Sequence, residues 1–309
     1  MTNHTQICQT LDRKPLRYWS SNTANTPIHE GMTVQKPDIV LYDGGETLTD
    51  TWASVRVLCK HTTEENFPAR QREAVFKRFR ETFQHQYDRR FLCGILFSEY
   101  HYSYIHCDRM GVWGSGPLTL LDNLEVFYSI IAGCLYCSLT HIGYDPNIIY
   151  VMHKPIYINI TYTHDLHSKF YYRILQVLFA APGITGRGTV CYLAARGYKF
   201  FVIKELWQDL HQVTEYDHLI NKVLPLNDPH LPRIMEGVFP YINDNFGVDY
   251  TNVSRPPSSY TVYNHAHVRF VLQPVGIKIT DFCCKKELLC VFADVVKGEC
   301  RQVYIESLH

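Results

Sequence analysis

The sequence predicts a mixed α+β protein with about two domains. The chain has 309 residues, roughly twice the ~150 residues of a typical domain. Short stretches with strand-like alternation are interleaved with helical patterns in both halves of the chain. A polar, histidine-rich stretch at Tyr162–Ser168 separates two regions whose residue patterns differ. We therefore expect a domain boundary in this stretch.

Composition supports packed cores and excludes several classes of protein. Hydrophobic residues make up 46% and charged residues 19% of the chain. This balance excludes a mostly disordered, collagen-like or small disulfide-rich protein. Thirty basic residues balance thirty acidic residues, so the formal net charge is zero. A neutral chain lacks the broad positive field that captures nucleic acid or an anionic membrane, so we expect neither as a partner.

The N-terminus and the cysteines indicate an intracellular protein. The segment from Met1 to Gln6 is polar and lacks the apolar core of a signal peptide. The 11 cysteines are an odd number in a chain too long to need disulfides, so we expect reduced thiols. The cytoplasm or the nucleus is the expected compartment, and secretion is not expected. The uncharged stretch Val126–Tyr144 contains small polar residues, which favours a buried helix over Val126–Leu139 rather than a membrane span.

The first half of the chain is predicted as an arm followed by a domain. Residues 1–35 are rich in threonine, asparagine and serine and are predicted as a flexible arm. Residues 36–165 are predicted as the N-terminal domain. Its expected elements are strands at Pro37–Leu41 and Trp52–Leu58, a helix from Pro68 to about Tyr87, and a hairpin of Phe91–Phe97 with Tyr102–Ile105.

Residues 170–309 are predicted as a second domain. Its expected elements are a strand at Ile174–Phe179, a hairpin of Val190–Ala194 with Tyr198–Lys204, a helix at Asp209–Val223, a strand at Val268–Leu272 and a long final helix. The final helix has an apolar stripe that includes Leu288, Phe292 and Val295. No other predicted element covers this stripe, so we expect the isolated chain to aggregate readily.

The strongest chemical signal is a glycine loop followed by a lysine. Gly186-Arg187-Gly188-Thr189-Val190 precedes the hairpin, and Lys204 ends its second strand. Glycines let backbone amides approach phosphate oxygens, and a lysine at this position can reach the same phosphates. This order is that of a protein-kinase nucleotide site, whereas a Walker loop needs a lysine directly after glycine. The alternative is an ordinary glycine-rich turn with a solvated lysine.

A kinase site also needs an acidic residue that holds the lysine. Glu215 on the following helix is the candidate, with Leu219 one turn later on the same face. A solvated Glu215 remains an alternative because the main apolar stripe of this helix points elsewhere. Glu205 is nearer in sequence, but it lies on the other face of the strand from Lys204.

The chain resembles the fungal-type protein kinases from Lys36 onward. No single motif is specific to this family, and the resemblance depends on the order in which several motifs occur together. The motifs in the first half are Lys36-Pro37-Asp38-Ile39-Val40, Trp52, Lys60, Gln86-Tyr87-Asp88-Arg89-Arg90-Phe91, Asp108-Arg109-Met110-Gly111 and Ile142-Gly143-Tyr144-Asp145-Pro146. The motifs in the second half are Gly186-Arg187-Gly188-Thr189, Val202-Ile203-Lys204-Glu205-Leu206-Trp207, Glu215, Val271-Leu272-Gln273-Pro274-Val275-Gly276, Lys286-Glu287-Leu288-Leu289 and Ser307-Leu308-His309.

The resemblance implies transfer of the ATP γ-phosphoryl group to a protein serine or threonine, with Mg²⁺. Gly186, Gly188, Thr189 and Val190 would form the loop over the phosphates. Val202 would lie over the adenine, Lys204 would pair with the α- and β-phosphates, and Glu215 would hold Lys204. The backbone from Gln273 to Val275 would bind the adenine edge. A protein substrate or protein partner is implied.

The sequence departs from the family pattern at two places. Cys191 and Leu193 replace a third glycine and a valine of the usual loop. His309 would be the histidine of the catalytic loop, but the catalytic aspartate and the metal-binding residues have no counterpart among these residues. We therefore expect a small lobe plus the first large-lobe helices, catalytically incomplete and binding nucleotide weakly at most. A pseudokinase acting as a regulatory interaction module, or a truncated gene model, are the alternatives.

The N-terminal domain resembles a degenerate restriction-type nuclease. Such nucleases use Pro-Asp and an acid-x-Lys motif to hold Mg²⁺ and position the attacking water. Pro37-Asp38 and Lys60 are present, but Leu58 occupies the position of the second acid. One carboxylate is insufficient for the metal, so we expect a nuclease-like fold that docks a partner.

Cysteines give one further, weak candidate for a site. Cys134 and Cys137, with His141 and His153, have a spacing that loosely resembles a zinc site. They fall in the apolar helical stretch and lack a second tight pair. Buried free thiols are the favoured interpretation.

Overall fold

The computed structural model is a mixed α+β structure, as predicted. It describes residues 15–29, 34–44, 51–151, 154–162, 165–212, 215–223, 225, 232–243, 247–255, 264–276 and 279–306. These residues form two compact units. Unit 1 comprises those within Met1–Ile148, Ala181–Gly188 and Thr251–Thr261, and unit 2 those within Ile149–Ala180, Thr189–Tyr250 and Val262–His309.

Unit 1 is built on a seven-stranded sheet. Its strands are β1 (Arg17–Ser20), β2 (Ile39–Asp43), β3 (Val57–His61), β4 (Phe91–Phe97), β5 (His101–Asp108), β6 (Gly111–Gly114) and β7 (Leu118–Thr119). Its helices are α1 (Ala69–His85) and α2 (Leu124–Tyr136), with short 3₁₀ turns at Asn22–Ala24, Trp52–Ser54, Leu139–Ile142 and Thr251–Ser254. The strand order is β1-β2-β3-β4-β5-β6, with β7 also paired to β5, and only β3 and β4 are parallel.

Helix α1 packs on one face of this sheet because its apolar side chains recur at helical spacing. Val75, Phe79 and Phe83 are buried in the main core of unit 1, together with residues of β2 to β5. Gly94 on β4 permits the close approach, since a Cβ there would lie 2.9 Å from the Phe79 ring and 3.2 Å from the Leu58 carbonyl oxygen. Apolar periodicity thus predicted this helix correctly.

Helix α2 is present, but the prediction that it is buried was wrong. Only Cys134 is buried among its residues, and Val126 and Tyr128 are 50% and 61% exposed. The helix is held at its C-terminal end, where the Arg17 guanidinium donates hydrogen bonds to the carbonyl oxygens of Cys134 and Cys137. Part of the predicted flexible arm is therefore ordered, because Arg17 on β1 is buried and also pairs with Asp43 at 3.0 Å.

Unit 2 is built on a second seven-stranded sheet. Its strands are β8 (Ile148–Val151), β9 (Lys154–Tyr162), β10 (Asp165–Ala180), β11 (Val190–Arg196), β12 (Lys199–Asp209), β13 (Arg233–Val238) and β16 (His265–Gln273), and a separate pair is formed by β14 (Tyr241–Asn243) and β15 (Gly247–Val248). Its helical elements are α3 (Glu215–His218), a π-helical turn at Leu219–Val223, a 3₁₀ turn at Ile279–Asp281 and α4 (Lys285–Glu306). The strand order is β13-β16-β12-β11-β10-β9-β8.

Several predicted elements differ in their bounds; the strand expected at Ile174–Phe179, for example, is part of the longer β10. The structure gives the reason for two of the differences. The strand expected at Trp52–Leu58 begins only at Val57, after the 3₁₀ turn at Trp52–Ser54, where the buried Trp52 joins the core. The helix expected at Asp209–Val223 is shorter, because pairing with β16 keeps β12 extended to Asp209. Within the described residues the helical segment begins only at Glu215.

Helix α4 has an uncovered apolar stripe in its described part. Leu289, Phe292, Val295 and Val296 are 50–68% exposed, which agrees with the stripe predicted from the sequence. None of the described helices combines the length and the apolar character needed to cross a bilayer.

Replacement of Gly94 tests how tightly α1 packs on the sheet. We expect Gly94→Ala to lower the free energy of unfolding by about 1–3 kcal/mol, because the added methyl group has no space between Phe79 and Leu58. Gly133→Ala on α2 is the matched control. Its Cβ would meet no atom within 4 Å, so it should be neutral or stabilise by up to about 1 kcal/mol. Urea denaturation of both variants measures the difference, and equal stabilities would contradict the proposed packing.

Candidate functional site

Strand β12 places Lys204 on one face of the second sheet and Glu205 on the other. Side chains alternate along a strand, so Val202 and Leu206 share the face of Lys204. Neighbouring strands align two rows of residues across this face. Leu193, Val202 and Leu272 form the first row, and Cys191, Lys204 and Phe270 form the second.

Lys204 and Glu215 form an ion pair on this face. The Lys204 ammonium group donates a short hydrogen bond to Glu215 Oε1. Both side chains are about three-quarters buried, with 26% and 21% exposure. Glu215 is the first residue of α3, so its carboxylate is presented at the start of the helical segment that follows β12. Glu215, the candidate partner named from the sequence, is therefore in contact with Lys204.

The helical segment covers only part of the Lys204 face. Tyr216, Leu219, Ile220 and Val223 pack on an apolar cluster that includes Leu206 and Phe270. Beyond Lys204, Val202 and Leu193 are only partly buried, and Phe200 is 56% exposed. Leu193, Phe200, Val202 and Leu272 therefore form an apolar strip that the helical segment leaves open and that ends at the Lys204–Glu215 pair. We call it the open strip.

The opposite face of β12 carries a buried charged network. Arg269 lies directly opposite Glu205 on β16. Its Nε donates a hydrogen bond to Glu205 Oε1, and its Nη2 lies 2.5 Å from the same oxygen. His267 lies 3.8 Å from Glu205 Oε2, and its Nδ1 lies 3.2 Å from an Asp249 carboxylate oxygen. The Trp207 ring stacks on His267 at 4.8 Å. Burial lowers the pKa of His267, but hydrogen bonds and charge from Asp249 and Glu205 outweigh it and raise the pKa to about 9.

The segment after β16 lies beside the open strip. The Gln273 amide donates a hydrogen bond to the carbonyl oxygen of Phe200 at 2.9 Å, which holds the end of β16 against β12. Val275 follows after Pro274 and is partly buried. Val275 comes three residues after Leu272 in the chain.

Val190 does not belong to the face that carries Lys204. It is 3% exposed and lies directly opposite Glu205, so its side chain points to the buried face. Thr189 precedes it and is partly buried. Leu193 contributes to the open strip instead, although the sequence reasoning noted it only as a departure from the usual valine. The sequence could have indicated this position of Leu193, because Leu193 and Cys191 are two residues apart in the predicted strand and so lie on the same face.

Gly186 and Gly188 lie in unit 1, where Arg109 holds their loop. The Arg109 guanidinium donates to the carbonyl oxygens of Gly183 and Ile184 at 3.1 and 3.2 Å, and Gly186 N–H donates to the Arg109 carbonyl oxygen at 2.9 Å. Ile184 is buried in the core of unit 1. A Cβ at Gly188, which has φ +49°, would lie 2.5 Å from Arg109 Nε. The loop is therefore well packed, a role for Arg109 that sequence reasoning missed.

Asp38 and Lys60 form an ion pair in unit 1. The Lys60 ammonium lies 2.9 Å from Asp38 Oδ2, which also accepts a hydrogen bond from the His61 N–H at 2.8 Å. The Arg78 guanidinium lies 3.6 Å from Asp38 Oδ1. Leu58 is buried and provides no ligand. One carboxylate with two cationic neighbours does not fit a Mg²⁺ site.

The Cys134 and Cys137 pair is not favoured as a zinc site among the described residues. Burial raises the pKa of the Cys134 and Cys137 thiols, which disfavours the thiolates that zinc needs. The predicted partner His153 and the predicted catalytic-loop His309 lie outside the described residues.

Ser254, His106 and Asp108 are neighbours in unit 1 but do not form a hydrolase triad. Ser254 Oγ and Asp108 Oδ2 both lie 3.4 Å from the same ring nitrogen of His106, Nε2. A triad needs the serine and the carboxylate on opposite ring nitrogens. Asp108 also accepts two hydrogen bonds from Arg255, so the group is a buried ionic cluster.

One comparison with known proteins gives a match. A family model described as fungal protein kinase matches residues 36–223, which is more than half of the chain. No curated protein and no solved structure matches the chain. The matched region includes Lys204 and Glu215.

The buried network of His267 makes the stability of the protein depend on pH. The pKa of His267 is about 9 in the folded protein and about 6.5 when unfolded. The network's contribution should be complete below pH 6.5 and be lost as the pH rises through 9, up to about 3 kcal/mol. Urea denaturation between pH 6 and pH 9.5 measures this loss. His267→Gln should flatten the profile, whereas the exposed-residue control His61→Gln should retain the wild-type slope, and identical profiles would refute the assignment.

Proposed function

Because the chain belongs to the fungal protein kinase family, we propose that its second unit binds a purine nucleoside triphosphate, ATP, beside Lys204. The ion pair between Lys204 and Glu215 carries this proposal. Protein kinases use a lysine on the third strand of the small lobe, held by a helical glutamate, to contact the phosphates. Lys204 lies on the third strand counted from β10, and Glu215 opens the next helix.

The open strip supports binding of the adenine ring. A planar purine buries most area on flat apolar surfaces, and Leu193, Val202 and Leu272 form such a row across three paired strands. The backbone from Gln273 to Val275 follows directly at the end of β16 and supplies polar groups for the purine edge. The proposed site therefore offers an apolar surface to the purine ring and polar backbone groups to its edge.

Lys204 would contact the α- and β-phosphates. Its ammonium is a compact charge that suits phosphate oxygens, and the ion pair with Glu215 orients it. The lysine–glutamate pair at the end of an open apolar strip fits a nucleotide. When bound, ATP supplies the phosphoryl group that the family transfers. We assign no residue of this site to Mg²⁺, since Lys204 is a cation and the Glu215 carboxylate is engaged by it.

Nucleotide binding is the property that these residues support. Transfer to a protein serine or threonine needs a general base and metal ligands in addition, and neither Lys204 nor Glu215 fills those roles. We therefore propose a weak nucleotide-binding small lobe, with a protein as substrate or partner in an intracellular compartment.

The second candidate function is a regulatory interaction module. Asp38 is neutralised by Lys60 and approached by Arg78, which supports a nuclease-like fold that has exchanged metal chemistry for structure. Exposed apolar residues on α2, including Val126 and Tyr128, offer a docking surface in the same unit. In this reading unit 1 binds a partner, and nucleotide binding in unit 2 is dispensable.

A matched pair of lysine variants tests the nucleotide site. We expect Lys204→Met to weaken ATP binding at least about tenfold, because the phosphates lose a charge-assisted contact. Lys199→Met is the control, since Lys199 is an exposed residue of the same strand. Glu215→Gln should weaken binding less than Lys204→Met, because the lysine stays charged but loses its anchor. Isothermal titration calorimetry with the 309-residue chain measures all four affinities.

The outcomes separate the two candidate functions. ATP binding that depends on Lys204 and not on Lys199 supports the nucleotide site. Absent ATP binding in the wild-type chain, or equal affinities of the two lysine variants, favours the interaction module instead.

A further inference from the structure

The first sheet carries a trough that α1 leaves uncovered. Helix α1 packs over β3 and β4, whereas β5 and the edge strand β6 continue beyond it. The space between α1 and β6 is a cavity of about 490 Å³, and its apolar lining includes Phe67, Phe76, Leu96, Ile105 and Val112. Small-molecule sites have this size and this predominantly apolar lining. We call this cavity the trough.

Glycines keep the trough open at its outer wall. Gly114 on β6 and Gly116 after it both line the cavity. A Cβ at Gly116 would meet no atom within 4 Å, and one at Gly114 would make only ordinary contacts, 3.7 Å from the Tyr104 carbonyl oxygen and 3.8 Å from Ser103 Oγ. Larger residues would fit sterically at Gly114 and would fill the trough.

Ser103 provides a polar group in the lining of the trough. The residue is only 6% exposed. Its hydroxyl can donate and accept hydrogen bonds, so it could bond to a polar atom of a ligand.

The chain at one end of the trough is strained. Asn66 and Phe67 have φ values of +57° and +43°, which are unfavourable for residues with bulky side chains. Arg72 holds this turn by donating a hydrogen bond to the carbonyl oxygen of Phe67 at 2.7 Å. Strain of this kind concentrates at ligand clamps, and here it positions the Phe67 ring in the wall of the cavity.

The charges at the rim favour an anionic group. Arg72 lies in the first turn of α1, whose N-terminus has no capping side chain, so the partial positive charge of the helix adds to that of the guanidinium. Glu73 also lines the cavity, but Lys77 neutralises it at 2.9 Å. The rim is thus suited to a carboxylate, above an apolar floor with one hydroxyl.

We propose that the trough binds a small amphipathic carboxylic acid. Its apolar body would lie against Phe76 and Val112, which are 37% and 46% exposed. Its carboxylate would face Arg72, and one of its oxygens would bond to Ser103. This site is in unit 1 and is independent of the nucleotide site proposed for unit 2.

Octanoate and 1-octanol form a matched pair of probes for this site. Both have the same apolar chain, and only octanoate has a carboxylate. We expect octanoate to bind the 309-residue chain about tenfold more tightly than 1-octanol, because a charge-assisted hydrogen bond contributes about that factor. In Arg72→Gln the two affinities should become equal. Isothermal titration calorimetry measures each binding constant, and circular dichroism checks that the variants are folded.

A variant that fills the trough tests its location. Gly114→Val should abolish octanoate binding, since the added side chain occupies the cavity. Ser129→Val, on the exposed surface of α2, adds an apolar group elsewhere and should bind like wild type. The proposal is overturned if wild type does not bind octanoate or if both valine variants bind it equally. Equal binding of octanoate and 1-octanol to wild type would overturn the assigned carboxylate.

Discussion

The buried carboxylate of Glu205 is the constraint on which unit 2 depends. A charged group in a protein interior is costly unless it is paired and hydrogen-bonded. Arg269 on the neighbouring strand β16 pairs with it directly, and both side chains are almost fully buried. A shift of one residue between these strands would move every side chain of β12 to the opposite face. The ion pair thus selects one register, in which Glu205 is buried.

The same register defines the candidate site on the other face. With Glu205 buried, Lys204 must point to the opposite side of β12, where Glu215 pairs with it. Val202 is then aligned with Leu193 on one side and Leu272 on the other. A buried ionic network and an open nucleotide face are consequently two results of a single strand register. His267 extends this network, because its protonated ring lies between Glu205 and Asp249 and is positively charged at neutral pH.

The local sequence pattern correctly predicted those elements that are determined by their own residues. The helical spacing of Val75, Phe79 and Phe83 gave α1. The two strand-like stretches Val190–Ala194 and Tyr198–Lys204 gave the β11–β12 hairpin. The Lys204–Glu215 pair followed from the same local order. Long-range contacts escaped prediction, because composition does not say what an apolar helix packs against. Two examples are the exposure of α2 and the hydrogen bonds that Arg109 donates to the glycine loop. Both depend on segments that are far apart in sequence.

The most direct measurement of the central claim is a crystal structure of the 309-residue chain with a non-hydrolysable ATP analogue. The account predicts that the purine lies against Leu193, Val202 and Leu272, with a phosphate oxygen within hydrogen-bond distance of Lys204 Nζ. A nucleotide bound away from this face of the second sheet, with Lys204 engaged only by Glu215, would contradict it.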